Sequence, residues 1–160
     1  VIEYENNLRY NRFSSGRVAG LHRQETVSLG HPSVFEDFKA GVQKRKDEFL
    51  SRLLSFKAHG EKVLGITAST KGNILLQTWG VGTDLIDSIG DANPDKRGKF
   101  CAGSNIPVIS LGEMRSRKPN VLVVLAWHLS QELVTQERSA GFKGKFLIPL
   151  PNVEVINENS

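Results

Sequence analysis

Lys62-Val63-Leu64-Gly65-Ile66-Thr67-Ala68-Ser69-Thr70-Lys71-Gly72-Asn73 decides how the rest of the chain is read. It opens as a short apolar run and closes in small, polar and basic residues. A second apolar pattern, Ile74-Leu75-Leu76-Gln77-Thr78-Trp79, follows at once. A buried strand over Lys62 to Ala68, a tight polar turn, and a helix over Gly72 to Trp79 closed by Gly80 account for that order. A helix N-terminus carries unpaired N–H groups and the positive end of the dipole. A small-residue loop leading into one therefore suits a phosphate or carboxylate. Lys71 adds a positive charge where the dipole alone disfavours one, which points to an anion rather than to structure. The spacing matches neither G-x-G-x-x-G nor G-x-x-x-x-G-K-[ST], so an ordinary strand–turn–helix that binds nothing fits it equally well.

The pattern repeats downstream. Leu85 to Gly90 reads as a second strand ending at Asp91, Ile106 to Ile109 as a short third, and Leu111 to Arg115 as a helical turn. Val121 to Ala126 is apolar throughout, as a strand buried on both faces requires. Leu129 to Ala140 reads as a helix with Leu129, Leu133 and Val134 inward and Gly141 after it. Lys145 to Pro149 is a fifth strand, stopped by Pro149-Leu150-Pro151 because proline cannot donate to a central ladder. Asn152 to Ser160 reads as a frayed polar tail. Strands alternating with helices at this pitch predict an α/β fold: a Rossmann-like, doubly wound, mostly parallel sheet of about five strands with right-handed crossovers.

Upstream, His31-Pro32-Ser33 starts a helix of about 27 residues, or ~40 Å at 1.5 Å per residue. Ser33 and Glu36 have capping-box spacing. Phe35, Phe38, Val42, Phe49, Leu53 and Phe56 share one face, widened by Leu50 and Leu54. Lys39, Lys44, Arg45, Lys46, Asp47, Glu48 and Arg52 read as its solvated face, and Gly60 as its left-handed cap. Val1 to Leu29 reads as a loop-rich arm with strand-like pieces at Leu8 to Phe13 and Thr26 to Leu29 and a turn at Ser14-Ser15-Gly16. The expected organisation is an arm or linker from a preceding domain (1–30), a long bracing helix (31–60), a Rossmann-like domain (61–152) and a tail (153–160).

With 160 residues the chain can bury one sizeable core. No apolar run reaches the ~20 residues of a membrane span, and nothing at the start has the shape of a signal peptide. The opening at Val1, without an initiator methionine, reads as a fragment or a processed piece. A net charge of +4 suits a small anionic ligand. The basic residues are dispersed and not interleaved with aromatics, which argues against nucleic acid. One cysteine, Cys101, forms no internal disulfide and fits a reducing cytoplasm. It has no evident activating partner. Four histidines far apart give no zinc-ligand spacing.

In an open sheet of this kind ligands bind beyond the carboxyl ends of the strands. That edge collects Ser69, Thr70, Lys71, Gly72 and Asn73 after the first strand and Asp91 to Lys96 after the second. Cys101, Ala102, Gly103, Ser104 and Asn105 lie before the third, Trp127 and His128 after the fourth, and Pro149 to Asn152 after the fifth. Asp91 follows Gly72 by nineteen residues, near the place of a dinucleotide fold's ribose-binding acid, although it fits a turn cap before Pro94 equally. Trp127 reads as a stacking ring or as core. His128 reads as an N-cap, a ligand donor or a base, with no carboxylate or nucleophile at a fixed spacing to single out catalysis.

Five motifs occur in order: Ala68-Ser69-Thr70-Lys71-Gly72-Asn73, Asp91-Ala92-Asn93-Pro94-Asp95-Lys96-Arg97-Gly98, Gly103-Ser104-Asn105-Ile106-Pro107, Ala126-Trp127-His128 and Phe146-Leu147-Ile148-Pro149-Leu150-Pro151. Together they resemble the C-terminal domain of the sugar C-methyltransferase family, over about Leu8 to Val155. The resemblance implies S-adenosylmethionine-dependent methylation of a nucleotide-diphosphate sugar held between this domain and a middle, S-adenosylmethionine-binding domain. It places the donor site, the zinc ligands and the usual base outside this chain. Ser69, Thr70, Lys71, Gly72 and Asn73 would line the cleft near the phosphates, with Trp127 and the loop around Gly103 at its border. The family usually has histidine where Asn105 stands and Pro-Trp-Asn where Ala126-Trp127-His128 stands. Asn105 keeps a contact to oxygen but not proton transfer, so the departures imply an altered sugar or a weakened site. Two other readings stay open: a free-standing NAD- or S-adenosylmethionine-type module, and a structural domain that has lost its ligand and braces a partner through the long helix.

Overall fold

The computed structural model describes residues 32–158 and, ahead of them, Gly16, Val18, Gly20, Leu21, Arg23 and Glu25, all helical. Gly16 was expected in a turn and is helical instead; the expected strands at Leu8 to Phe13 and Thr26 to Leu29 lie outside the described residues. The chain divides into two compact units, Val1–Gln43 and Lys44–Ser160. The division falls inside the first long helix, α1 (Pro32–Ala58). Its apolar face is not buried along its whole length: Phe49, Leu53 and Phe56 are buried, whereas Phe35, Phe38 and Val42 are exposed. The helix ends in a glycine cap at Gly60, φ 72°, where Glu61 N donates to Phe56 O over 3.0 Å.

The second unit carries β1 (Val63–Ile66), α2 (Thr70–Trp79), β2 (Ile89–Asp91), β3 (Val108–Ser110), α3 (Leu111–Ser116), β4 (Val121–Val124), α4 (Ser130–Ser139), β5 (Lys145–Ile148) and β6 (Glu154–Ile156). They form one six-stranded sheet in the order β3-β2-β1-β4-β5-β6. All neighbours run parallel except β6, which is antiparallel to β5. Successive residues of a strand point to opposite faces. Val63, Val121, Val123 and Leu147 accordingly pack with Phe49, Leu53 and Phe56 of α1 and Leu75, Leu76 and Trp79 of α2. Leu64, Ile66, Leu122, Val124 and Phe146 pack on the other side with Met114 of α3, and Leu133 and Val134 of α4 lie against them. Both central strands are buried end to end, which is why they are continuously apolar. Truncating one such side chain, Leu122→Ala for instance, costs about 2–5 kcal/mol.

Four expectations change. Leu85 and Ile86 are not in β2; they reach the core from a turn in which both N–H groups donate to Gly82 O, at 3.2 and 3.0 Å. β3 begins at Val108 rather than Ile106. The 153–160 tail is not all frayed, because Glu154–Ile156 pairs with β5 and makes a sixth strand. Finally, a 3-10 turn at Trp127–Leu129 precedes α4 and leaves Leu129 43% exposed, while Glu137 is the fully buried residue of that helix. No helix of the described residues is long and apolar enough to cross a membrane.

Candidate functional site

The strand order reverses its direction of progress between β1 and β4, and the crevice of such a sheet opens there, beyond the carboxyl ends. Ser69 N-caps α2: its Oγ accepts from Gly72 N over 3.0 Å and donates to Leu125 O, just past β4, over 2.9 Å. One hydroxyl thus ties the loop after β1 to the loop after β4. Gly72 sits against the same residue; a Cβ there would lie 2.6 Å from Leu125 Cβ and 2.8 Å from Leu125 O. Ser69 O also accepts from Asn73 N at 2.9 Å. The N–H groups that remain at this helix start are those of Thr70 and Lys71.

Asp91, 4% exposed at the end of β2, braces the loop from below. Its Oδ2 accepts from Ala68 N at 2.8 Å and Lys96 Nζ at 3.0 Å, and its Oδ1 from Asn93 N at 2.8 Å. Lys96 Nζ donates again, to Ala68 O at 3.0 Å. A buried carboxylate is tolerated only when compensated in this way, and the ion pair fixes both backbone groups of Ala68. Asn93 Oδ1 accepts from Asp95 N and caps the 3-10 turn Pro94–Lys96.

Residues 98–108 form an irregular hairpin. Val108 N donates to Lys99 O at 2.8 Å, Cys101 N to Ile106 O at 2.9 Å, and Phe100 bridges Pro107. At its tip Gly103 has φ 76°, and a Cβ there would come within 2.6 Å of Gln77 Nε2, so the tip rests on α2. Between hairpin and helix start lies a cavity of about 250 Å³. Ala68, Ser69, Thr70 and Asn73 line one side; Lys96, Lys99, Phe100, Cys101 and Ala102 line the other. Two lysines are among its lining residues and no acidic residue is. Asn73 Oδ1 is buried without a hydrogen-bond partner. Burial pushes the Cys101 thiol up; nearby Lys96 opposes that and Asp91 adds to it. The group is therefore a neutral thiol near pH 7, not a nucleophile.

Of the residues expected in the site, Ser69, Thr70 and Asn73 line the cavity, and Gly72 and Asp91 support it from behind. Lys71 is exposed and is not among the lining residues. Gly103, Ser104 and Asn105 (φ 54°) form the hairpin tip, where Ser104 Oγ is buried without a partner. Trp127 is half-buried against both faces of the core, edge-on to the exposed His128 ring at 6.5 Å. Neither ring lines the cavity. Lys96 lay on the expected ligand edge and lines the cavity, whereas Lys99 and Phe100 were not anticipated; the run Asp95-Lys96-Arg97-Gly98-Lys99-Phe100, basic and ending in an aromatic just past β2, was the available signal.

A dinucleotide fold uses the acid after its second strand to hold ribose hydroxyls. Asp91 has both oxygens occupied by Ala68, Asn93 and Lys96. Asp91 is therefore spent on holding the loop rather than left free for the ribose hydroxyls of an NAD-type ligand.

Residues 5–151 match the family described as the C-methyltransferase C-terminal domain. The chain is also 26% identical over 141 residues to the C-methyltransferase NovU of Streptomyces niveus, covering 88% of this chain and 34% of that protein. It therefore spans about a third of the length of the curated relative it matches.

Proposed function

The chain belongs to the C-methyltransferase C-terminal domain family, and from that membership we propose that it is the substrate-side domain of an S-adenosylmethionine-dependent enzyme methylating a carbon of a nucleotide-diphosphate sugar. S-adenosylmethionine, held by a partner domain outside this chain, supplies an electrophilic methyl group in the cytoplasm. Residues of this chain bind and orient the acceptor, and none of them is assigned a proton transfer.

The observation that carries the reading is the cavity between Ser69–Asn73 and the hairpin. It combines a helix start, two lysines and a buried unpartnered acceptor. Lys96 is already shared with Asp91, so Lys99 is the cation left to meet a phosphate. The N–H groups of Thr70 and Lys71 add donors on the opposite side. Asn73 Oδ1 repels an anion but accepts from a sugar or ribose hydroxyl, so the diphosphate and a hydroxyl-bearing ring together satisfy the site better than either alone.

Isothermal titration of the chain with UDP-glucose, TDP-glucose and free glucose tests this. Saturable binding of the nucleotide sugars that weakens as salt rises, with none for glucose, is the expected result. Absence of nucleotide-sugar binding, or binding indifferent to the phosphates, overturns it.

A further inference from the structure

Phe100 is the unusual member of the cavity lining: it is 67% exposed, although its neighbour Cys101 is buried and Ile106 across the hairpin is fully so. A single exposed apolar side chain needs no explanation by itself; what sets Phe100 apart is that it lines the cavity beside Lys99. The backbone beneath it is fixed. Phe100 bridges Pro107, and the hydrogen bonds Gly98 N to Val108 O (2.9 Å), Val108 N to Lys99 O (2.8 Å) and Cys101 N to Ile106 O (2.9 Å) flank it. The hairpin tip rests on Gln77. The ring therefore stands on a braced strand at the mouth of a cavity whose adjoining residue, Lys99, is the uncommitted cation.

Resting on the proposed function, we infer that Phe100 is the stacking platform for the nucleobase of the nucleotide sugar, with Lys99 meeting its diphosphate. A flat π-face beside a cation matches a base joined to phosphates, and base–aromatic stacking tolerates any base. Phe100 has no polar atom with which to read a base edge. It therefore supplies affinity for the nucleotide without selecting uracil over thymine.

Calorimetric titration of the chain with UDP, TDP and inorganic pyrophosphate separates the outcomes. Phe100→Ala is expected to weaken UDP and TDP on the order of tenfold and to leave pyrophosphate within about twofold. Phe100→Trp restores nucleotide binding, and an unchanged melting temperature for Phe100→Ala confirms that the exposed ring does not hold the fold. Equal weakening of pyrophosphate and UDP would make Phe100 a support for the hairpin and overturn the assignment. So would wild-type binding of UDP that Phe100→Ala leaves intact; either result spares the proposed function. Failure of the wild-type chain to bind both UDP and pyrophosphate overturns the proposed function and this assignment with it.

Discussion

At the amino ends of the strands, Arg115 grips the fully buried Glu137 through Nε and Nη2 at 2.9 and 2.7 Å, and Lys145 holds Glu61 at 2.9 Å. At the carboxyl ends, Lys96 is shared between Asp91 and Ala68 O, and Lys99 faces a cavity with no acid in its lining. The amino-end cavity is the larger, about 630 Å³ against about 250 Å³. Yet its wall mixes Arg115, Lys118, Lys143 and Lys145 with Glu61, Glu137 and Glu158. A hollow whose charges largely answer one another offers little to an anion, and size alone does not make a site. The amino end keeps the sheet together; the carboxyl end is left with charge to spare.

The largest expected effect breaks the amino end. Arg115→Ala strands Glu137, which is 0% exposed, and removing one partner of a buried pair costs about 3–5 kcal/mol. Urea unfolding should register that loss, while UDP affinity of the folded protein stays within about twofold. A tenfold loss of affinity would erase the distinction between the two ends. Gly72→Ala should affect both properties. Its new Cβ meets Leu125 at 2.6 Å, so about 1–3 kcal/mol of overpacking is expected, together with a displaced helix start and nucleotide binding weakened several-fold by calorimetry.

Lysine substitutions sharpen the comparison further. Lys99→Ala should weaken UDP about tenfold, because it removes a charge-assisted hydrogen bond to phosphate. Lys71→Ala should weaken it only about two- to threefold, because the residue is exposed and outside the lining. The reverse ranking would return the anion site to the outer side of the α2 start.

The smallest effect is in pH. Burial raises the Cys101 thiol above its ordinary value of 9.0. The neutral form is thus favoured in the fold; that stability is fully present below the unfolded thiol's value and is lost as pH rises through the folded one. Iodoacetamide at pH 8.5 should label the folded chain more slowly than the urea-unfolded chain. Equal rates would show a thiol that is neither buried nor shifted.

Features set by local chemistry were legible in the sequence. The run Val121 to Val124 could only be a strand buried on both faces, and Gly60 and Gly80 stood where left-handed caps fell. What depended on distant partners was not legible. Glu154–Ile156 lies among Asn and Glu residues and becomes a strand because β5 offers it an edge. Leu129 fits an inward helical position by period but lies in the 3-10 turn before α4 and stays half-exposed; Glu137 shares the inward face of Leu133 and Val134 and is tolerated there because Arg115 meets it. Likewise the small-residue turn at Ser69 to Asn73 was readable as a ligand loop, whereas Ser69's role as the cap of α2 and the involvement of Lys99 and Phe100 came only with the folded structure.

The antiparallel course of β6 carries a practical consequence. After pairing Ile148 with Glu154 and Phe146 with Ile156, the chain runs back toward the start of β5, where Asn157 O receives Arg138 Nη2 at 3.0 Å. An affinity handle, a dye or a sensor chip attached at Glu158 sits at the pole remote from Lys99 and Phe100. Held from that end, the domain presents the rim that carries Lys99 and Phe100 to the flowing solution.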